Sequence, residues 1–385
     1  MKFNKWTLGL AAIGAVSLTS VARAEEAKLS QLNTAISNTT ISGVVDVGAE
    51  WNMGNVHNYN SGYYNTGSQL DSFSVNQVLI SLDKPLDESP WASGYHIDLN
   101  WGQQAVTPMS TTSYSYNSES YFSSSSPLRQ AYVTLRTPLG NGIDWKAGLF
   151  DNILGYEANT LAANPNYSHS IGWGVEPTSQ LGLIGTYKVC DAFSFTGGLA
   201  NSMGNYYGYY GQNVSDKTFL AAATLTAPES WGWAKGAALT VGVNQGFYKY
   251  SMNNYYAGLT LPTPVKALKV GFAFDLVRNN TEPSTDQSEW IVGTYASFQA
   301  TDKLSLNLRG EYEEDYVDAG NHEEVTLTAA YNLWANVISR VELRWDHGDH
   351  GYNYGYVGRD SQQHFGTDGA RSDAFTLAFN VAYQF

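Results

Sequence analysis

The chain has 385 residues, rich in Tyr (27), Phe (15), Trp (11) and Gly (37), with a single Cys and with acids outnumbering bases 35 to 21. Only 15 % of its residues are charged, against about 25 % in soluble domains, yet its mean hydropathy is negative, −0.29. The acidic excess excludes a phosphate-backbone binder, one Cys excludes a disulfide framework and a cysteine zinc site, and the polar average excludes a bundle of membrane helices.

Met1–Ala24 holds Lys2 and Lys5, an apolar stretch from Trp6 to Leu18 and the small-residue ending Ala22-Arg23-Ala24. These are the three parts of a secretory signal, with cleavage expected before Glu25. The apolar stretch falls short of the ~20 residues a spanning helix needs. Cleavage removes Lys2, Lys5 and Arg23 and no acid, so the net charge passes from −14 to −17. Residues 25–38 read as a polar periplasmic lead-in.

From Thr39 onward the dominant period is two. Tyr95, Ile97, Leu99 and Trp101 alternate with His96, Asp98 and Asn100; Leu304, Leu306, Leu308 and Tyr312 alternate with Ser305, Asn307, Arg309 and Glu311; Val341, Leu343 and Trp345 alternate with Arg340, Glu342 and Arg344. In a strand this sets an apolar face against a polar one. The pattern predicts about 16 strands within a single domain, 39–385. Their connections alternate in length. Long ones (Asn52–Gln69, Gln103–Pro127, Asp151–Pro177, Ser202–Ser215, Asn279–Gln287, Glu314–His322, His347–Ser372) interleave with short ones (Lys84–Trp91, Pro138–Asn141, the turn at Cys190, Pro262–Lys266, Ala300–Lys303, Leu333–Asn336). The exception is a short connection near Lys249–Asn253. Long loops on one side and tight turns on the other describe an all-β transmembrane antiparallel barrel of the outer-membrane type.

The last strand alternates Phe375, Leu377, Phe379, Val381, Tyr383 and Phe385 with Thr376, Ala378, Asn380, Ala382 and Gln384, and ends on its aromatic. Such an end suits a strand closing a barrel against lipid, and it looks like the signal read by the outer-membrane insertion machinery. Trp51, Trp101, Trp290, Trp334 and Trp345 stand near strand ends, where aromatic girdles form. A barrel of this size leaves an aqueous channel. Its candidate lumen groups are Asp46, Glu50, His96, Asp98, Arg136, Lys146, Lys188, Arg309, Glu311, Arg340, Glu342 and Arg344, which either set a field for passing ions or pair to stiffen the wall.

The segment Gly140–Pro177 carries GNGIDWKAGLFD, GYE, NPNYSHS and WGVEP. With the strand that follows, these residues resemble the OmpL-like family of outer-membrane β-barrel porins, the second β-barrel porin family. The resemblance runs from the mature N-terminus to Phe385, with its specific motifs between Leu128 and Asn201. It implies an outer-membrane location and a porin fold more than it implies a substrate. The long connection after Phe150 is either a constriction folded into the lumen or a lid over it. As a constriction its ionisable groups are Asp151, Glu157, His169 and Glu176, an acidic eyelet that favours cations.

Asp346-His347-Gly348-Asp349-His350 has the residue types of a metal site but not the fixed geometry of a helical motif, and no metal, cofactor or catalytic residue is assigned. Tyr206, Tyr207, Tyr209, Tyr210, Tyr352, Tyr354 and Tyr356 suit ring stacking or packing, and Ser123–Ser126 is low in complexity. The resulting expectation is a passive channel for small hydrophilic solutes or ions. A surface-exposed adhesive barrel with a plugged pore is one alternative. An outer-membrane hydrolase is another, and it lacks a nucleophile motif beside His96 and Asp98. A small-residue outer face (Gly185, Gly197, Ala221, Ala223, Ala257) admits a homotrimer.

Overall fold

The computed structural model describes residues 38–53, 72–102, 127–201, 217–246, 252–279, 287–315, 320–348 and 372–385. The signal region, the Tyr-rich segments and Ser123–Ser126 lie outside these. Sixteen strands follow one another: β1 Thr40–Met53, β2 Ser72–Lys84, β3 Ser93–Trp101, β4 Leu128–Thr137, β5 Ile143–Asp151, β6 Ser179–Cys190, β7 Phe193–Ala200 and β8 Thr218–Thr226. They continue as β9 Ala238–Gly246, β10 Met252–Pro262, β11 Leu268–Asn279, β12 Gln287–Gln299, β13 Leu304–Asp315, β14 Gly320–Trp334, β15 Val337–Gly348 and β16 Asp373–Gln384. Each pairs antiparallel with its neighbours in sequence, and β1 pairs with β16 to close the barrel.

Closure satisfies the backbone donors and acceptors that lipid cannot. At the seam the Gly43 N–H donates to the Phe385 carbonyl at 2.9 Å, and the Phe385 N–H returns to Gly43 at 3.1 Å. Gly43 has no room for a Cβ, which would press on the Leu79 carbonyl and the Phe385 ring. Along β16, Phe375, Leu377, Phe379, Tyr383 and Phe385 face outward, while Ala374, Ala378, Ala382 and Asn380 are buried inside. Trp51 and Trp101 are exposed at the loop end, and Trp91, Trp231, Trp233 and Trp334 at the turn end.

Two expected loops are shorter than the sequence pattern suggests. β13 runs to Asp315 and β14 starts at Gly320, so Glu314 and His322 lie on paired strands rather than in the loop, His322 as the register partner of Glu313. The alternation His322, Glu324, Thr326 against Val325, Leu327 carries the strand further than its polar start indicates. Likewise β14 continues to Trp334, leaving only two residues before β15.

Candidate functional site

Residues 152–178 leave β5, enter the barrel and return to β6. Their first stretch is apolar. Ile153 and Leu154 are buried with Phe150 against Ile184, Leu220, Ala222, Tyr256, Ala273 and Tyr295 from the inner wall, and the Tyr156 ring stacks on Tyr295 at 4.0 Å. The turn that allows this uses Gly155 at φ +130°, where a Cβ would strike the Glu176 carboxylate. Asn152 ties the start to β9 by accepting from Asn244 Nδ2 at 2.9 Å.

The rest of the segment reaches the opposite wall. A short 3₁₀ turn, Leu161–Ala163, donates its Leu161 N–H to Gln77 and places Ala162 among Val44, Leu79 and Ala382. Arg340 donates to the carbonyls of Ala162 and Asn164 at 3.2 and 2.9 Å. Wall carboxylates then grip backbone N–H groups in pairs. Glu342 accepts from Tyr167 and Ser168 at 2.6 and 2.9 Å, and Glu311 from Ile171 and Gly172 at 2.6 and 3.2 Å. Arg309 binds Glu157 at 2.8 Å, Glu324 at 2.9 Å and the Ser168 carbonyl at 2.8 Å, while Arg344 reaches the His169 carbonyl at 2.7 Å. His169 lies flat on Trp173, 3.7 Å between ring centroids, and bonds Glu157 through Nδ1. Ser170 caps the one-turn helix Ile171–Val175 by accepting from the Trp173 N–H.

These bonds divide the loop carboxylates. Burial pushes the Glu157 carboxyl up, but Arg309, His169 and the Ser170 N–H outweigh it and hold the group down to about 2. Burial pushes Glu176 up too, and the nearby Asp275, Glu157 and Glu311 charges keep it well above the usual carboxylate range against the pull of the Tyr156 N–H.

A closed barrel with an internal segment hung on its wall invites comparison with known families. The profile described as "Putative beta-barrel porin-2, OmpL-like" matches residues 38–385. The chain belongs to this porin family. No curated relative matches it by sequence. Among solved structures this porin is similar to the outer-membrane channel DcaP of Acinetobacter baumannii (13 % identity, TM-score 0.56, covering 90 % of this chain and 97 % of that one). It is also similar to an anion-selective porin from Comamonas acidovorans (10 %, 0.55, 90 % and 99 %) and to the trimer form of OmpT, an outer-membrane protein of Vibrio cholerae (13 %, 0.53, 90 % and 99 %). At these identities the likeness shows the fold.

The porin's side chains do not form a free acidic eyelet. Asp151 ends β5 and pairs with Arg129, and Glu157 pairs with Arg309. Asp46, Glu50, Asp98, Arg136, Arg309, Glu311, Arg340, Glu342 and Arg344 are all buried inside the barrel. Asn76 and Asn380 clasp Asp46 at 2.7 Å each, and Arg136 pairs with Asp144 at 2.9 Å. His96 bonds Asp83 and stacks on Tyr132, whose ring also carries the Lys146 ammonium at 4.4 Å. Lys188 sits apart, paired with Asp191 at a turn. Asp346 turns inward to Arg344 and His322 while His347 pairs with Asp373, so the two do not converge; Asp349 and His350 lie outside the described residues.

Sequence reasoning missed Arg129, Asp275, Glu324 and the His322 bridge between Glu313 and Asp346. Arg129 breaks the alternation because the β3–β4 register shifts between Asp98 and Leu99, which lets it reach both Asp98 and Asp151. Asp275 and Glu324 sit on inward positions of regular strands, and counting alternate residues on β11 and β14 would have found them.

Proposed function

We propose that this porin is an outer-membrane channel for passive diffusion of small hydrophilic solutes and ions, with residues 152–178 as its constriction and with a preference for cations. The observation that carries the reading is the seat of that segment. It spans a lumen that sixteen strands would otherwise leave water-wide, from Ile184 and Leu220 on one wall to Glu342 on the other. The preference follows from charge. Leaving aside Glu176, whose carboxyl is raised, ten buried carboxylates stand against five buried arginines among the described residues, and fixed charge of one sign along a pore selects the other. The Comamonas neighbour is an anion-selective porin, so the sign belongs to the side chains and not to the barrel.

The test is a planar-bilayer recording of the purified protein. Deleting 158–168 should raise single-channel conductance, and a KCl gradient should give a reversal potential of cation-selective sign. Unchanged conductance in a folded deletion variant removes the constriction. A second reading, a plugged barrel whose role lies at the cell surface, draws on the apolar packing of Phe150, Ile153 and Leu154 inside the barrel; a folded protein silent in the bilayer would favour it.

Three further parts belong to the same proposal. Residues 1–24 act as the export signal, and the aromatic end of β16 at Phe385 is read by the insertion machinery, which delivers the chain into outer-membrane lipid. A homotrimer is proposed because Gly185, Gly197 and Ala221 fall side by side across β6–β8 on the outer face, where small residues let walls approach. The Vibrio neighbour has a trimer form. Gly197→Trp should shift the native mass to that of a monomer.

A further inference from the structure

His322 is the third residue of β14, at the loop end of the barrel, and is 2 % exposed. β14 lies between β13 and β15, and a carboxylate from each neighbour closes on one nitrogen of the ring. Glu313 Oε2 stands 3.2 Å from Nδ1, and Asp346 Oδ1 stands 3.1 Å from Nε2. Both carboxylates are buried as well. A neutral imidazole has one N–H and one lone pair, whereas the imidazolium has two N–H groups. Two ionised carboxylates, one at each nitrogen, are satisfied together only by the charged ring.

The two carboxylates differ in what else they hold. Asp346 also takes Arg344, from Nη2 at 2.7 Å and from Nε at 2.9 and 3.0 Å. A ring that loses a proton has to release one carboxylate, and Asp346 is the one with a second cation to turn to. The other charged groups turned inward here are engaged. Glu311 on β13 accepts the Ile171 and Gly172 N–H groups, and Glu324 on β14 accepts from Arg309.

Arg344 is the link to the loop. Its Nη1 donates to the His169 carbonyl at 2.7 Å and to Ser168 Oγ at 3.3 Å. We infer that His322 is held as an imidazolium between Glu313 and Asp346 and is a positioning residue for the constriction, acting through Asp346 and Arg344 on Ser168 and His169. When the ring gives its Nε2 proton to water, the lone pair left there faces Asp346 Oδ1, two buried acceptors in contact. Asp346 moves away and draws Arg344 with it, so the loop loses its hold at 168–169. Alkaline pH thus loosens the constriction. This link to conductance rests on reading residues 152–178 as the constriction; the charge of the ring does not.

The sample is the full mature chain, labelled with ¹⁵N-histidine and refolded in detergent, with heat-modifiable gel mobility as the check on folding. At neutral pH the His322 ring should show two N–H resonances, identified by their loss in His322→Gln or His322→Lys, and one should vanish as pH rises. A ring with a single N–H at neutral pH overturns the inference. In planar bilayers, wild-type conductance should rise and grow noisy on alkalinisation. His322→Gln, with a donor at one end of its amide and an acceptor at the other, should stay at the raised level at every pH. His322→Lys, which keeps its charge well above neutral pH, should hold conductance flat across the alkaline range. A pH step that survives in either variant overturns the coupling. Exchange at residues 168–170, compared at one neutral pH, should be faster in His322→Gln than in His322→Lys, and equal rates overturn it too. A folded wild type silent in the bilayer strikes the constriction reading instead, because the ring resonances and the exchange rates are read without conduction.

Discussion

On β6–β12 the loop is held by shape: Ile153 and Leu154 fill a wall of Ile184, Leu220, Ala222 and Ala273, and Tyr156 lies on Tyr295. On β13–β15 it is held by charge, with Glu311 and Glu342 accepting backbone N–H groups and Arg309 and Arg344 donating to carbonyls. The two seats do different work. Apolar burial is non-directional, so it favours docking without choosing a register. Bonds from a planar guanidinium or to a carboxylate fork have one geometry, but desolvating the ions offsets much of their attraction. The charged seat therefore fixes where residues 157–172 lie, and the apolar seat supplies the free energy that keeps the loop inside.

Breaking the charged seat should give the largest effect. Arg309→Leu leaves Glu157 and Glu324 buried without their base, a loss of about 3–5 kcal/mol. Hydrogen exchange should quicken at residues 167–172 and conductance should become noisy, while 153–156 stay protected. If both stretches open together, the seats are one unit and the comparison fails. The apolar seat can be overfilled through Gly242→Ala, whose Cβ would press on Leu154 Cδ2 and on the Ala221 carbonyl. Overpacking of this kind costs about 1–3 kcal/mol. Faster exchange confined to 153–156 is the expected result.

The difference between the seats also explains what could be read in advance. A period of two names every inward residue of a regular strand, so Arg309, Glu311, Arg340, Glu342 and Arg344 were identifiable as a lumen set from β13 and β15 alone. Arg129 was not, because a register shift moves it off its parity. Pairings were beyond reach as well. That Glu311 and Glu342 serve loop N–H groups depends on a fold-back over 139 and 175 residues of sequence separation, and no local pattern encodes such a distance. Ile153 and Leu154 looked like ordinary loop residues, since only the curved wall opposite makes them core.

The smallest expected effect is on pH, and it separates the seats by sign. Glu157 is held down to about 2 in the charged seat. Its contribution is complete above the ordinary carboxylate value near 4.3 and is lost as pH falls toward about 2. Glu176, beside the apolar seat, is held above its ordinary value. Its contribution is complete below that value and is lost as pH rises through the raised one. Acidifying the protein in EDTA from alkaline pH should therefore first slow exchange at 153–156 as Glu176 takes up its proton. Only below about pH 4 should exchange quicken at 167–172 as Glu157 lets go of Arg309. Glu176→Gln should abolish the first change and spare the second. A single transition shared by both stretches would mean that charge couples the seats directly, through Glu157 acting on Glu176, and that the loop moves as one body.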